Sequence, residues 1–165
     1  MRFGRVFFIL VILFCAIETA RLWTVAPAQM AAHFNVQGDP DRFAPREQVF
    51  AFELQTALVV IVLGFVVQVL TVFVPPAWIN LPNREYWLAP ERRDLISGRM
   101  GGFAGWVFGV ILLAVHAGFE LTVAASLHAP IRFQAGAMMA VMAAAFFVVF
   151  GLLLWLGLSF RSPRD

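Results

Sequence analysis

His33-Phe34-Asn35-Val36-Gln37-Gly38-Asp39-Pro40-Asp41 is a short polar string held between two long apolar runs. Before it, Val6 to Ile17 is twelve apolar residues without interruption, and after it the chain is apolar again from Leu54 to Val74. A polar turn between two such runs belongs at a membrane face. About 30 Å of hydrocarbon is crossed by roughly 20 mostly apolar residues in a helix. Four stretches reach that length: 3–25, 54–74, 101–127 and 135–160. The 165 residues are 61% hydrophobic with a mean hydropathy of +0.82, against about half apolar for a soluble domain. The expected fold is all-α: a single integral membrane domain over 1–165, built as a four-transmembrane-helix bundle.

Charge sets its orientation. Arg2 and Arg5 precede the first span, Arg84, Arg92, Arg93 and Arg99 lie between the second and third, and Arg161 and Arg164 follow the fourth. The other side has Arg42, Arg46 and Arg132, so the positive-inside rule makes both termini and the loop 75–100 cytoplasmic and the loop 27–44 extracytoplasmic. The arginines form no basic helix face or tail, which excludes nucleic acid as a partner despite the net charge of +2. The head of the chain, with Arg2, Arg5, the apolar run and Ala26-Pro27-Ala28, also has the outline of a signal peptide. The continuation through Leu22, Trp23 and Val25 brings it to spanning length, with Trp23 suited to the interface, so retention is expected. Cys15, the single cysteine, lies inside an apolar run and cannot form an intramolecular disulfide.

Between the spans, Gly38-Asp39-Pro40-Asp41 is turn chemistry, and Pro45 with Glu47 suits the start of a helix that begins ahead of the second apolar run. Pro75-Pro76 ends that helix, and Pro90 is placed to open a helix into the third span. The brief link 128–132 makes spans three and four antiparallel neighbours. On the third span Gly98, Gly102, Gly105, Gly109, Leu112, His116 and Glu120 share one face. Small residues of this kind let helices approach closely, and such a glycine-rich face also suits a membrane protein partner. Glu53, Ala57, Val60, Gly64, Gln68 and Thr71 repeat the pattern on the second span, and Gly136, Ala140 and Ala144 on the fourth.

An ionisable side chain near the bilayer centre costs roughly 2.5 to 3.5 kcal/mol on insertion scales, so such groups are expected to face inward and pair. Glu18 is twelve residues beyond Val6, about 18 Å along a helix, with Arg21 one turn further. His116 and Glu120 fall in the outer half of span three, and Glu53 at the outer entrance of span two. The expected site is an outer-leaflet cluster of Glu18, Arg21, His33, Glu53, His116 and Glu120, with Asn35, Asp39 and Asp41 above it. It admits three readings. In one, Glu18 and Arg21 are a structural ion pair, His116 bonds a backbone carbonyl and the aspartates shape a turn. In another, His33, His116 and Glu120, with Glu18 or Glu53, hold a divalent metal such as zinc. In the third, the cluster is a proton-sensitive or peptide-binding site without metal.

Enzyme signatures are sparse: there is no His-Glu-x-x-His, no Gly-x-Ser-x-Gly and no phosphate-cradling glycine loop, and Ser97, Ser126, Ser159 and Ser162 have no neighbouring base. Met138, Met139 and Met142 read as core filler. A metal-dependent membrane enzyme, with zinc lowering the pKa of a water and Glu18 or Glu53 as base, stays open beside a non-enzymatic binding protein and a structural subunit of a membrane complex.

His33-Phe34-Asn35, then Gly38, then Pro40-Asp41, resembles the signature of the bacterial membrane family catalogued as domain of unknown function 1648, which includes the N-terminal part of the Sdp toxin immunity protein. Asn80-Leu81-Pro82-Asn83-Arg84-Glu85-Tyr86-Trp87-Leu88-Ala89-Pro90-Glu91-Arg92-Arg93 is similar to the cytoplasmic segment of many short members. The resemblance implies a multi-pass protein of the bacterial inner (plasma) membrane, with a role in resisting or sensing a secreted toxic peptide. From the residues, the favoured expectation is non-enzymatic: a ligand site for a small molecule, peptide or ion at Glu18, Arg21, His33, Asn35, Asp39, Asp41 and Glu53, able to alter the cytoplasmic segment from Trp78 to Arg99.

The orientation has a direct test. In a Cys15→Ser background, Asp39→Cys is expected to react with a membrane-impermeant maleimide on intact cells, and Glu85→Cys only after the membrane is opened. The opposite pattern refutes the assignment.

Overall fold

The computed structural model describes residues 3–75 and 78–161. Arg2, Pro76, Ala77, Ser162 and Arg164, which entered the sequence reading, lie outside the described residues. The order of elements is α1 (Phe3–Val25), β1 (Gln29–Phe34), β2 (Pro40–Pro45), α2 (Arg46–Phe73), a short α3 (Arg84–Trp87), a 3-10 turn (Pro90–Arg92), α4 (Arg93–Leu127) and α5 (Ala135–Ser159). Four of these helices are long and apolar enough to cross a membrane, as a multi-pass membrane protein requires. As the proline and glutamate before the second apolar run suggest, α2 starts well before Leu54, with Pro45 as its N-cap.

The all-α expectation needs one correction. Residues 29–45 form an antiparallel β-hairpin, with Met30 opposite Ala44, Ala31 opposite Phe43 and His33 opposite Arg42. Neither strand is rich in β-branched residues, and Pro40 and Pro45 bracket the second, a composition that argues against a central strand. A two-stranded ribbon tolerates those prolines because both strands are edges. Alone it would be marginal; it is stabilised from below. Met30 is fully buried among Leu22, Ala26, Phe50, Phe119 and Val123, and the Ala31 N–H donates to Ser126 Oγ at 3.2 Å. The turn is built by Asn35, whose Oδ1 accepts from the Gln37 and Asp39 N–H groups, with Gly38 at φ 85° in the left-handed region.

α4 is the element on which α1, α2, α5 and β1 all pack. The glycine face explains how. A Cβ on Gly105 would collide with the Gly4 carbonyl of α1, and one on Gly4 with the Gly102 carbonyl, so these two helices touch backbone to backbone. Gly64 of α2 makes room for the Phe8 ring and Gly109 for Phe7. The face on α4 is shorter than the sequence suggests, since Gly98 has open space where a side chain would go, as does Gly136 on α5. α5 contributes no buried residue. Its C-terminal end is held instead: Ser159 O accepts from Arg99 Nη1 at 3.0 Å, and just past the helix Phe160 O accepts from Trp87 Nε1 at 2.8 Å and Arg161 O from Asn83 Nδ2 at 2.6 Å.

The glycine packing predicts contrasting substitutions. Gly105→Ala should lose about 1–3 kcal/mol by overpacking, while Gly98→Ala should leave stability unchanged or raise it by about 0.5–1 kcal/mol through helix propensity. Thermal unfolding in detergent distinguishes them, and an unchanged Gly105→Ala would contradict the α1–α4 approach.

Candidate functional site

Helical periodicity decides which polar groups enter the interior. On α2 the buried residues are Phe50, Glu53, Gly64 and Gln68, and on α4 they include Gly109, Leu112, His116, Phe119 and Val123, each set along one face. Glu53 and His116 therefore meet between the helices. They are 6% and 3% exposed, and Glu53 Oε1 stands 3.6 Å from His116 Nδ1. That is an ion-pair separation and too long for a hydrogen bond. Neither ring nitrogen of His116 has a hydrogen-bond partner, and the ring is flanked by Phe14 and Phe119 at centroid distances of 6.3 and 6.2 Å. The carbonyl partner anticipated as one reading for His116 is replaced by the Glu53 carboxyl.

One turn further along α4, Glu120 joins a second group. Arg21 of α1 donates through Nε to Glu18 Oε2 and through Nη2 to Glu120 Oε1 at 3.3 Å, so one guanidinium links two carboxylates on two helices. The Arg21 and Glu120 side chains are about half exposed. In water such a pair is worth under about 1 kcal/mol.

The remaining polar residues serve the hairpin. His33 Nδ1 lies 2.6 Å from Asp41 Oδ1 across the strands, Asn35 builds the turn, and Asp39 lies 3.8 Å from Arg132 in the α4–α5 connection. The Phe133 N–H donates to Gly38 O at 2.8 Å, so the hairpin tip is tied to that connection as well. The structure thus brings together Glu18, Arg21 and Glu120, and separately Glu53 and His116, within one turn of each other on α4. It does not bring His33, Asn35, Asp39 or Asp41 to them. His33, His116 and Glu120 each have a different neighbour, and among the described residues no three His, Cys, Asp or Glu side chains gather where a metal ion could sit.

Two clefts flank the buried pair. One, of about 400 Å³, lies between α1, α4 and α5 and is lined by Phe14, Val110, Ala117, Val141 and Ala144 together with His116 and Glu120. The other, of about 300 Å³, lies between α1 and α2, with Cys15, Thr19 and Glu53 in its wall. Toward the N-terminal end of α1 the packed cluster of Phe8, Val11, Cys15 and Leu112 fills the interior. The polar pair is therefore approached sideways, from the clefts. Phe14 and the α5 residues of the wider cleft carry no sequence signal that separates them from the other apolar positions of their helices. Ser126, which anchors the hairpin, is one of several serines with nothing to mark it.

The comparison with known families now bears on these residues. Residues 9–55 match the family model described as domain of unknown function (DUF1648). This is the family that the His33–Asp41 string resembles. The DUF1648 match runs from within α1 through the hairpin into α2, and so takes in Glu18, Arg21, His33, Asn35, Asp39, Asp41 and Glu53; His116, Glu120 and the string from Asn80 to Arg93 lie beyond it. No curated protein and no solved structure matches the chain.

The two ionic groups should differ in their response to truncation. His116→Leu strands the Glu53 carboxyl in an apolar interior and is expected to cost about 3 kcal/mol, with the Glu53→Leu, His116→Leu double variant recovering much of it. Arg21→Ala should cost less than about 1 kcal/mol. Equal losses on thermal unfolding would mean that the Glu53–His116 pair is not buried.

Proposed function

We propose that this is a non-enzymatic, multi-pass protein of a bacterial inner membrane, a four-helix bundle with both termini cytoplasmic, whose outer polar site binds a small ligand, peptide or ion. The observation that carries the reading is His116: an imidazole whose side chain is only 4% exposed, beside a carboxyl, with both ring nitrogens lacking a hydrogen bond. Buried polar atoms are nearly always bonded, and leaving one unmet costs on the order of 1–3 kcal/mol. A group kept at that cost on the wall of a cleft is suited to a partner that arrives from outside.

The arrangement favours binding over catalysis. His116 has one carboxyl neighbour, and Ser97, Ser126 and Ser159 bond backbone carbonyls of their own helices instead; a nucleophile and base within hydrogen-bond reach are what covalent catalysis requires. The cleft is apolar along most of its length, which suits a ligand that enters from the membrane. With the family resemblance, this supports resistance to, or sensing of, a membrane-active secreted peptide. α4 carries both His116 and Arg99, and Arg99 holds the end of α5, which gives the outer site a continuous helix to the segment from Trp78 to Arg99.

Replacing Ala144 by photoreactive benzoylphenylalanine in the native membrane tests the reading. Irradiation is expected to add a species distinct from phospholipid to the intact mass, and His116→Ala should abolish it. Adducts of phospholipid mass alone, identical with and without His116, would overturn binding at this cleft.

A further inference from the structure

Resting on the binding reading above, we propose that the cleft between α1, α4 and α5 selects an amphiphile with one apolar chain and a protonated amine head, the head seated at His116 and Glu120. The cleft has two unlike ends. His116 and Glu120 are the polar residues in its lining, and Val110 and Val148 stand at the other end. Val110 to Glu120 is ten residues, about 15 Å along α4. With a volume of about 400 Å³ the cleft is within the ordinary range for a small-molecule site. Its shape and lining fit a chain lying along α4 with a single polar terminus.

The sign of that terminus follows from the charges. Glu18, Arg21 and Glu120 together carry one net negative charge, and the Arg21 guanidinium is already engaged by both carboxylates. An anionic head would meet Glu120 with that cation occupied. The acceptors on offer, by contrast, match a cation that donates. A neutral His116 ring with its proton on Nδ1, toward the Glu53 carboxyl 3.6 Å away, presents Nε2 as an acceptor. An ammonium has three donors and a compact charge. It can give one N–H to the half-exposed Glu120 carboxylate, and one to His116 Nε2 once the side chains that cover that buried nitrogen part. A hydroxyl head offers one donor and no charge.

The test uses the full chain in phosphatidylcholine nanodiscs at neutral pH, with a diazirine-bearing dodecylamine as the photoprobe and intact mass as the readout. Labelling of α4 and α5 should saturate, dodecylamine should compete at least tenfold better than dodecanol, and dodecanoate should not compete. Glu120→Gln should weaken labelling at least tenfold. Arg21→Gln, which releases Glu18 and Glu120, should strengthen it, an effect that general loss of folding cannot imitate. Competition by dodecanol or dodecanoate equal to that of the amine would overturn the head-group assignment and leave a bound ligand at the cleft standing. Labelling that none of the three can saturate would overturn the assignment and count against the binding reading too.

Discussion

In hydrocarbon there is no water to accept a stray donor, so every polar atom on a spanning helix needs a partner within the protein. Most of this chain complies by the shortest route. Thr56, Thr122 and Ser126 return their hydroxyls to the carbonyl four residues back, Thr71 and Ser159 to the carbonyl three back, and the buried Gln68 amide donates to Gly64 O at 3.0 Å. These bonds neutralise polar groups without asking anything of another helix. His116 and Glu53 do not follow them. They face one another across α2 and α4 instead, and the imidazole keeps both nitrogens unbonded.

That pairing depends on α4 staying close to its neighbours, and the glycines are what bring it close. Each glycine inside a helix costs up to about 1 kcal/mol against alanine, so a run of them is kept only where it gains something in packing. At Gly102 and Gly105 the gain is the backbone contact with Gly4, and at Gly64 the seat for Phe8. Gly98 and Gly136 show that spacing alone does not identify such positions. A shared face says which residues point the same way; whether another helix is there depends on where that helix crosses.

This distinction separates what was legible from what was not. The four long helices, their ends and the inward faces of α2 and α4 follow from apolar length and a period of 3.6, because lipid makes those signals strong. The hairpin was hidden, since its strands carry prolines and few β-branched residues and are held by Met30 and Ser126 rather than by propensity. At the site, the ionisable residues were recognisable because charge is rare in the spans, and Glu18 with Arg21 was an expected pair, but how the rest of the expected cluster divides was not. Periodicity put Glu53 and His116 on inward faces without saying that they face each other. Shared depth put Arg21 in one expected cluster with Glu18 and Glu120 without saying that one guanidinium would link the two carboxylates, and it grouped His33 with them, whereas His33 and Asp41 satisfy one another across two strands above the helices.

The same reasoning accounts for the string from Asn80 to Arg93, whose role is invisible in the sequence. The last carbonyls of a helix have no partner within it. At the end of α5 the Ser159 carbonyl is met by Arg99, and the Phe160 and Arg161 carbonyls just past the helix by Trp87 and Asn83, with the Arg99 guanidinium also lying over the Trp87 ring at 4.6 Å. At the opposite end α5 follows directly on Phe133, which is bonded to the hairpin tip. Both ends of α5 are thus fastened by hydrogen bonds, whereas its length has no buried residue and rests on α4 alone among the helices it touches closely. The middle of α5 is the wall of the cleft opposite His116 and Glu120, formed by Val141, Ala144, Ala145 and Val148. The small alanines of that wall leave the space beside the unbonded imidazole, and the hydrogen bonds at either end of α5 fix where the wall stands.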